Sequence, residues 1–253
     1  MSLLIVFLIL IISIISDLRT NYQFSTLTLL LSSVSSLIIT KFSIKKLNKL
    51  KFNQIIKIEG PKHHLNKIGT PTMGGIIIVP AGIIIANLIN LKFNYGNQIL
   101  AISYITIAHM LIGSIDDWTS LVNKRNAGIE PKVKLFFQII VSMTFLWWSY
   151  LENWIDYNIF LLWDTSINVG ILIWPLALFV LIAESNATNL TDGLDGLASG
   201  SAALVFTGIG LQLISRENIS DPSLIIFCMS MAGTWLGFLA YNKKPAKIFM
   251  GDT

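Results

Sequence analysis

Eight long apolar stretches, interrupted by short polar ones, limit this chain to very few folds. They run over about 3–15, 24–40, 73–91, 97–115, 135–151, 167–183, 197–214 and 223–240, and none contains Asp, Glu, Lys or Arg. A helix crossing a bilayer needs roughly 20 apolar residues, whereas an outer-membrane barrel strand shows about ten of alternating character. The runs therefore predict an all-α, polytopic membrane protein with about eight spanning helices. Composition agrees, with hydrophobic residues at 53% and charged residues at 13% of 253, far from the balance of a soluble domain. The first run lacks a basic leading segment and a small-residue cleavage site, so it reads as a short retained span. Pro175 predicts a kink in the sixth span. The lone Cys228 reads as a small buried hydrophobe. No linker divides the chain, and residues 1–253 read as one domain.

Basic residues orient the spans, because short loops rich in Lys and Arg stay cytoplasmic. The loop after the second run carries Lys41, Lys45, Lys46, Lys49, Lys51, Lys57, Lys62 and Lys67. Lys124, Arg125, Lys132 and Lys134 follow the fourth run, and Lys243, Lys244 and Lys247 follow the eighth. Only Arg19, Lys92 and Arg216 fall on the opposite side. The net charge of +4 is thus membrane-surface charge, and a nucleic-acid partner is excluded. On the outer side, Trp154, Tyr157, Phe160 and Trp163 read as an interfacial aromatic belt.

With this orientation, the polar clusters that a bilayer penalises all reach the cytoplasmic face. One runs from Gly60 to Gly75, where Lys67, Thr70 and Thr72 are donors suited to phosphate oxygens. A second is the pair Asp116–Asp117 at the end of the fourth span, where carboxylates near lipid call for a partner such as Mg²⁺. His109, seven residues earlier, reads as an interhelical hydrogen-bonding residue. The stretch Asn186 to Gly196 repeats Asn186, Asn189, Asp192 and Asp195 at every third position with two glycines, and Asn242 to Thr253 ends with Asp252. A polar turn accounts for each cluster taken singly. Five carboxylates on one face beside lysines favour a metal-dependent phosphoryl-transfer site.

On these residues the chain resembles the phospho-N-acetylmuramoyl-pentapeptide transferase family of the polyprenyl-phosphate N-acetylhexosamine-1-phosphate transferase superfamily. The likeness is carried by Gly-Thr-Pro-Thr-Met-Gly-Gly (69–75), Asp116–Asp117, the segment from Lys124 to Gln138, Asn186 to Gly196, and Pro-Ala-Lys-Ile-Phe-Met-Gly-Asp (245–252). The wording Ala-Glu-Ser-Asn-Ala-Thr-Asn is similar to cyanobacterial members. The resemblance implies transfer of phospho-N-acetylmuramoyl-pentapeptide from its UDP carrier to undecaprenyl phosphate with Mg²⁺, giving lipid I and UMP at the cytoplasmic face of the bacterial inner membrane. It implies catalytic roles for Asp116, Asp117 and Asp192, and metal binding by Asp252 and Asp117. It further implies substrate binding by Lys67, Thr72, Lys134, Asn189, Gly193, Leu194, Asp195 and Asn242. Partners are the two substrates and membrane lipid, with room for a homodimer.

Family members continue past the position of Asp252 into further spans and a His-rich loop, so these 253 residues alone are expected to have little activity. The nearest alternative is a sister enzyme transferring N-acetylglucosamine-1-phosphate from UDP to a polyprenyl phosphate. A degenerate, non-catalytic membrane scaffold is a third reading.

Overall fold

The computed structural model describes residues 2–19, 24–49, 70–93, 96–123, 128–160, 165–215 and 222–252. Among them are α1 (Ser2–Arg19), α2 (Ser25–Lys49), α3 (Gly75–Phe93), α4 (Gln98–Asn123), α5 (Pro131–Leu151), α6 (Ile173–Thr191), α7 (Leu197–Ser215) and α8 (Ser223–Asn242). Seven, α2 to α8, are long and apolar enough to cross a membrane, α6 together with the 3-10 turn Gly170–Leu172 that leads into it. α1 contributes the shorter apolar stretch Val6–Ile15. The protein is thus the all-α, multi-pass membrane protein that its apolar runs predict. Among the described residues there are two departures: α1 falls short of the eighth span expected, and a small antiparallel hairpin, β1 (Asn158–Phe160) with β2 (Ser166–Asn168), stands in the long loop before α6.

α8 is the axis of the bundle and packs against α2, α7, α3 and α4. Most of its side chains are buried, whereas α6 buries none of its residues fully and packs chiefly against α5. In a bilayer, helices gain nothing from apolar contact alone, so close backbone approach and polar ties hold them together. Both occur between α2 and α8. Thr28, Ser32, Ser36 and Thr40 place small side chains at four-residue intervals along the buried stripe of α2. Ser32 Oγ lies 2.8 Å from Ser230 Oγ, and Ser36 Oγ donates to the Thr234 carbonyl at 2.7 Å. A Cβ on Gly233 would stand 2.2 Å from the Leu29 carbonyl oxygen, so glycine is what permits this approach.

Several sequence expectations are refined by this architecture. Cys228 is buried in α8, as expected. Pro175 falls in the first turn of α6, just after the 3-10 turn, where a missing N–H costs no α-helical hydrogen bond and no mid-helix kink is needed. His109 Nδ1 pairs with the Ile105 carbonyl one turn back at 3.1 Å, an intrahelical bond in place of the expected interhelical one. The outer aromatic belt extends onto the helix ends, with Trp148 beside Trp154 and Tyr150 edge-on to Trp174. Trp163 lies outside the described residues.

Candidate active site

After α8 the chain folds back beneath the bundle. Asn242, completely buried, fixes the start of this return: its Oδ1 accepts from the Gly196 N–H and Ser199 Oγ, and its Nδ2 donates to the Ile248 carbonyl. Ile248, Phe249 and Met250 are buried, and the Phe249 N–H donates to the Pro71 carbonyl at 2.9 Å. Gly74 and Gly75 in turn donate to the carbonyls of Phe249 and Met250. The segment entering α3 and the segment leaving α8 are thereby locked side by side, and Gly251 and Asp252 are delivered between the ends of α4, α5 and α6.

There the backbone itself holds two carboxylates. The Gly251 N–H donates to Asp192 Oδ2 at 2.9 Å, and the Asp252 N–H donates to Asp117 Oδ1 at 3.1 Å. Gly251 adopts φ +79, and a Cβ there would lie 2.4 Å from Asp117 Oδ2 and 2.9 Å from Thr72 Oγ1. Positive φ and lack of space both demand glycine. Asp116, adjacent on α4, has a different backbone partner: its Oδ1 accepts from the Ile129 N–H at 2.9 Å, and Gly128 leaves room for its carboxylate.

Asp252 is the meeting point. Lys134 Nζ, from the first turn of α5, lies 2.6 Å from Asp252 Oδ2 and 3.7 Å from Asp116 Oδ2. Burial pushes the Asp252 pKa up, but the neighbouring Asp116 and Asn189 side chains and the hydrogen bond and charge of Lys134 outweigh it and hold the group below its ordinary value. Asp192, the C-cap of α6, goes the other way: burial first, then the charges of Asp117 and Asp252, push it up to about 7 against the pull of the Gly251 and Met250 N–H groups.

The structure thus brings together Thr72, Asp116, Asp117, Lys134, Asn189, Asp192 and Asp252 at one end of the bundle. Gly193 and Leu194 form the α6–α7 turn, with Leu194 exposed, and Asp195 Oδ2 accepts from the Ala246 N–H at 3.1 Å. Asn242 is engaged entirely with protein groups. Lys67 lies outside the described residues. Sequence reasoning assigned no role to Gly128, Gly251 or Gln138. Gly251 stood beside a chosen aspartate, but its left-handed backbone is visible only in three dimensions.

Among the described residues no three acidic, His or Cys side chains converge as a ready-made metal cage. Mg²⁺, however, typically takes only one or two carboxylates, completing its shell with water and phosphate oxygens. Asp192 Oδ1 is buried without a hydrogen-bond partner, and the neighbouring charges of Asp117 and Asp252 raise its proton affinity. An orphaned acceptor in a cluster of like charges fits a divalent cation.

Residues 99–253 match the family described as Glycosyl transferase family 4. The chain is 51% identical over 228 residues to the phospho-N-acetylmuramoyl-pentapeptide-transferase of Synechococcus sp. (strain CC9311), covering 90% of this chain and 62% of that protein. It is 52% identical to the transferase of the same name from Prochlorococcus marinus (strain MIT 9313), covering 90% and 61%. A third relative of that name, from Prochlorococcus marinus (strain SARG), is 49% identical over 253 residues, covering 100% and 68%. The chain therefore spans less than two thirds of the length of the first two relatives.

Proposed function

The chain belongs to glycosyl transferase family 4, and on that premise we propose that its protein transfers phospho-N-acetylmuramoyl-pentapeptide from UDP to undecaprenyl phosphate. In this reaction a lipid-phosphate oxygen attacks the sugar-1-phosphate phosphorus, the bond to the bridging diphosphate oxygen breaks, and UMP leaves as lipid I forms. The observation that carries the reading is that carboxylates from three separate elements are tied to one short segment: Asp192 and Asp117 accept from the Gly251 and Asp252 N–H groups, and Lys134 lies against Asp252 and Asp116. The relatives' names supply the transferred group and the reaction class.

Catalysis of phosphoryl transfer is largely positioning and charge neutralisation. Asp117 and Asp252 would hold Mg²⁺. When bound, the ion neutralises developing charge on phosphate oxygens. Lys134 keeps Asp252 ionised and supplies positive charge to an incoming phosphate. Asp192, poised near neutral pH, takes a proton from the lipid phosphate as it attacks. Thr72, beside Gly251, serves the diphosphate, a role the family resemblance implies for Lys67 as well, and the α6–α7 turn with Leu194 exposed serves the uridine. Asn242 keeps that turn in place. The concentration of lysines on the site's side of the membrane supports an inner-membrane location with the site facing the cytoplasm.

The test is UMP release by purified protein, expressed from the complete reading frame, with undecaprenyl phosphate and either UDP-N-acetylmuramoyl-pentapeptide or UDP-N-acetylglucosamine. Mg²⁺-dependent turnover of the first donor is expected. Turnover of the second alone transfers the assignment to the sister enzyme, and turnover of neither removes it.

A further inference from the structure

Gln138 lies on α5, one turn deeper into the bundle than Lys134, is 2% exposed, and has no part in the reaction above. Both ends of its amide are engaged across the seam to α6. Its Nε2 donates to Ser185 Oγ at 3.3 Å, and its Oε1 accepts from Asn186 Nδ2 at 3.0 Å. Asn186 Nδ2 also donates to the Ile182 carbonyl, which fixes that side chain on its own helix.

Helical periodicity connects this tie to the carboxylates. Lys134 precedes Gln138 by four residues, and Asn189 follows Ser185 by four and Asn186 by three, so each pair shares a helix face. Lys134 Nζ donates to Asp252 Oδ2 at 2.6 Å, and the nearby Asn189 side chain helps to hold the Asp252 pKa down. The result is a closed ring: Gln138 to Ser185 and Asn186, along α6 to Asn189, across to Asp252, on to Lys134 and back along α5. α6 is the least packed of the spans, with no fully buried residue. A polar tie within a low-dielectric seam therefore has unusual weight in setting where α6 stands.

We propose that Gln138 is a positioning residue, whose two-ended tie sets the spacing of α5 and α6 so that Lys134 and Asn189 hold Asp252 from both sides. Its kinetic consequence rests on the transferase reading; its geometric consequence does not.

The experiment pairs two readouts on the full-length protein. Spin labels at Val133→Cys and Ala187→Cys, exposed positions near the site end of α5 and α6, report the interhelical distance; Cys228 is buried away from the label. UMP release reports kcat and KM. Gln138→Leu, and Gln138→Met as a replacement of similar length, should shift or broaden the 133–187 distance distribution. They should lower kcat by about 10- to 100-fold, as loss of an outer hydrogen bond that supports the groups around a site does, with the KM for the UDP donor changed by no more than about twofold. Asn87→Leu, which removes a part-buried tie from α3 to Ser103 on α4, should alter neither. An unchanged distance distribution in both Gln138 variants overturns the proposal whatever the activity does. So does a loss of activity that Asn87→Leu reproduces. Wild-type protein that releases no UMP refutes the transferase reading and leaves the distance arm to decide this one.

Discussion

The Asp252 N–H donates to Asp117 Oδ1 at 3.1 Å across 135 residues of sequence. Because the preceding N–H, that of Gly251, donates to Asp192 Oδ2, two successive peptide groups align carboxylates from the ends of α4 and α6. This short stretch of backbone, not a side chain, sets the spacing of the candidate site.

Gly251→Ala should therefore remove activity while leaving the protein folded. A non-glycine residue at φ +79 costs about 1–2 kcal/mol, and the added methyl would sit 2.4 Å from Asp117 Oδ2. A displacement of about 1 Å at the reacting centre costs about 100-fold in rate. Thermal unfolding in detergent beside UMP release checks both halves, and full activity in the alanine variant contradicts the geometry.

Asp192 predicts a particular pH dependence. Its folded-state pKa of about 7 lies above its ordinary value of 3.8, so the folded protein retains a proton that the unfolded chain has already released between those pH values. Stability without Mg²⁺ should fall as pH rises from about 4 to about 7 and level off above that. Asp192→Asn should flatten that decline and abolish UMP release. Melting temperature against pH for both proteins is the measurement, and parallel curves would remove the assigned environment.

Asn242→Leu separates a positioning role from substrate contact. The change strands the Gly196 N–H, the Ser199 hydroxyl and the Ile248 carbonyl, each at about 1–3 kcal/mol. A chain of this size loses about 2–4 °C per kcal/mol. A fall of roughly 10 °C in Tm with a near-normal KM for the UDP donor is expected. An unchanged Tm with a raised KM would show that Asn242 touches substrate.

Helix packing gives a contrast between glycines. Gly233→Ala forces a methyl against the Leu29 carbonyl, whereas at Gly200 on α7 an added Cβ meets nothing within 4 Å. Overpacking at the first site should cost about 1–3 kcal/mol. Replacing a helical glycine in open space should stabilise by up to about 1 kcal/mol. Opposite shifts in melting temperature are the expected outcome; equal shifts would mean that α2 and α8 do not approach as closely as described.

The long uncharged runs determined the class of this protein by themselves, because a bilayer leaves helices as the way to satisfy their backbone. The same logic identified Asp116, Asp117, Asp192 and Asp252, since carboxylates at the ends of apolar helices are too costly to be incidental. Helical periodicity also aligned Asn186, Asn189 and Asp192. Tertiary structure decided what each polar group does. It divided the adjacent Asp116 and Asp117 between the Ile129 and Asp252 N–H groups, turned Asn242 inward as a fastener, and made Gly251 a conformational requirement. It also paired Gln138 with Ser185 and Asn186. Apart from the Asp116–Ile129 bond, which spans 13 residues, those assignments depend on hydrogen bonds between groups about 45 to 135 residues apart, and local sequence does not encode which distant N–H a carboxylate will meet.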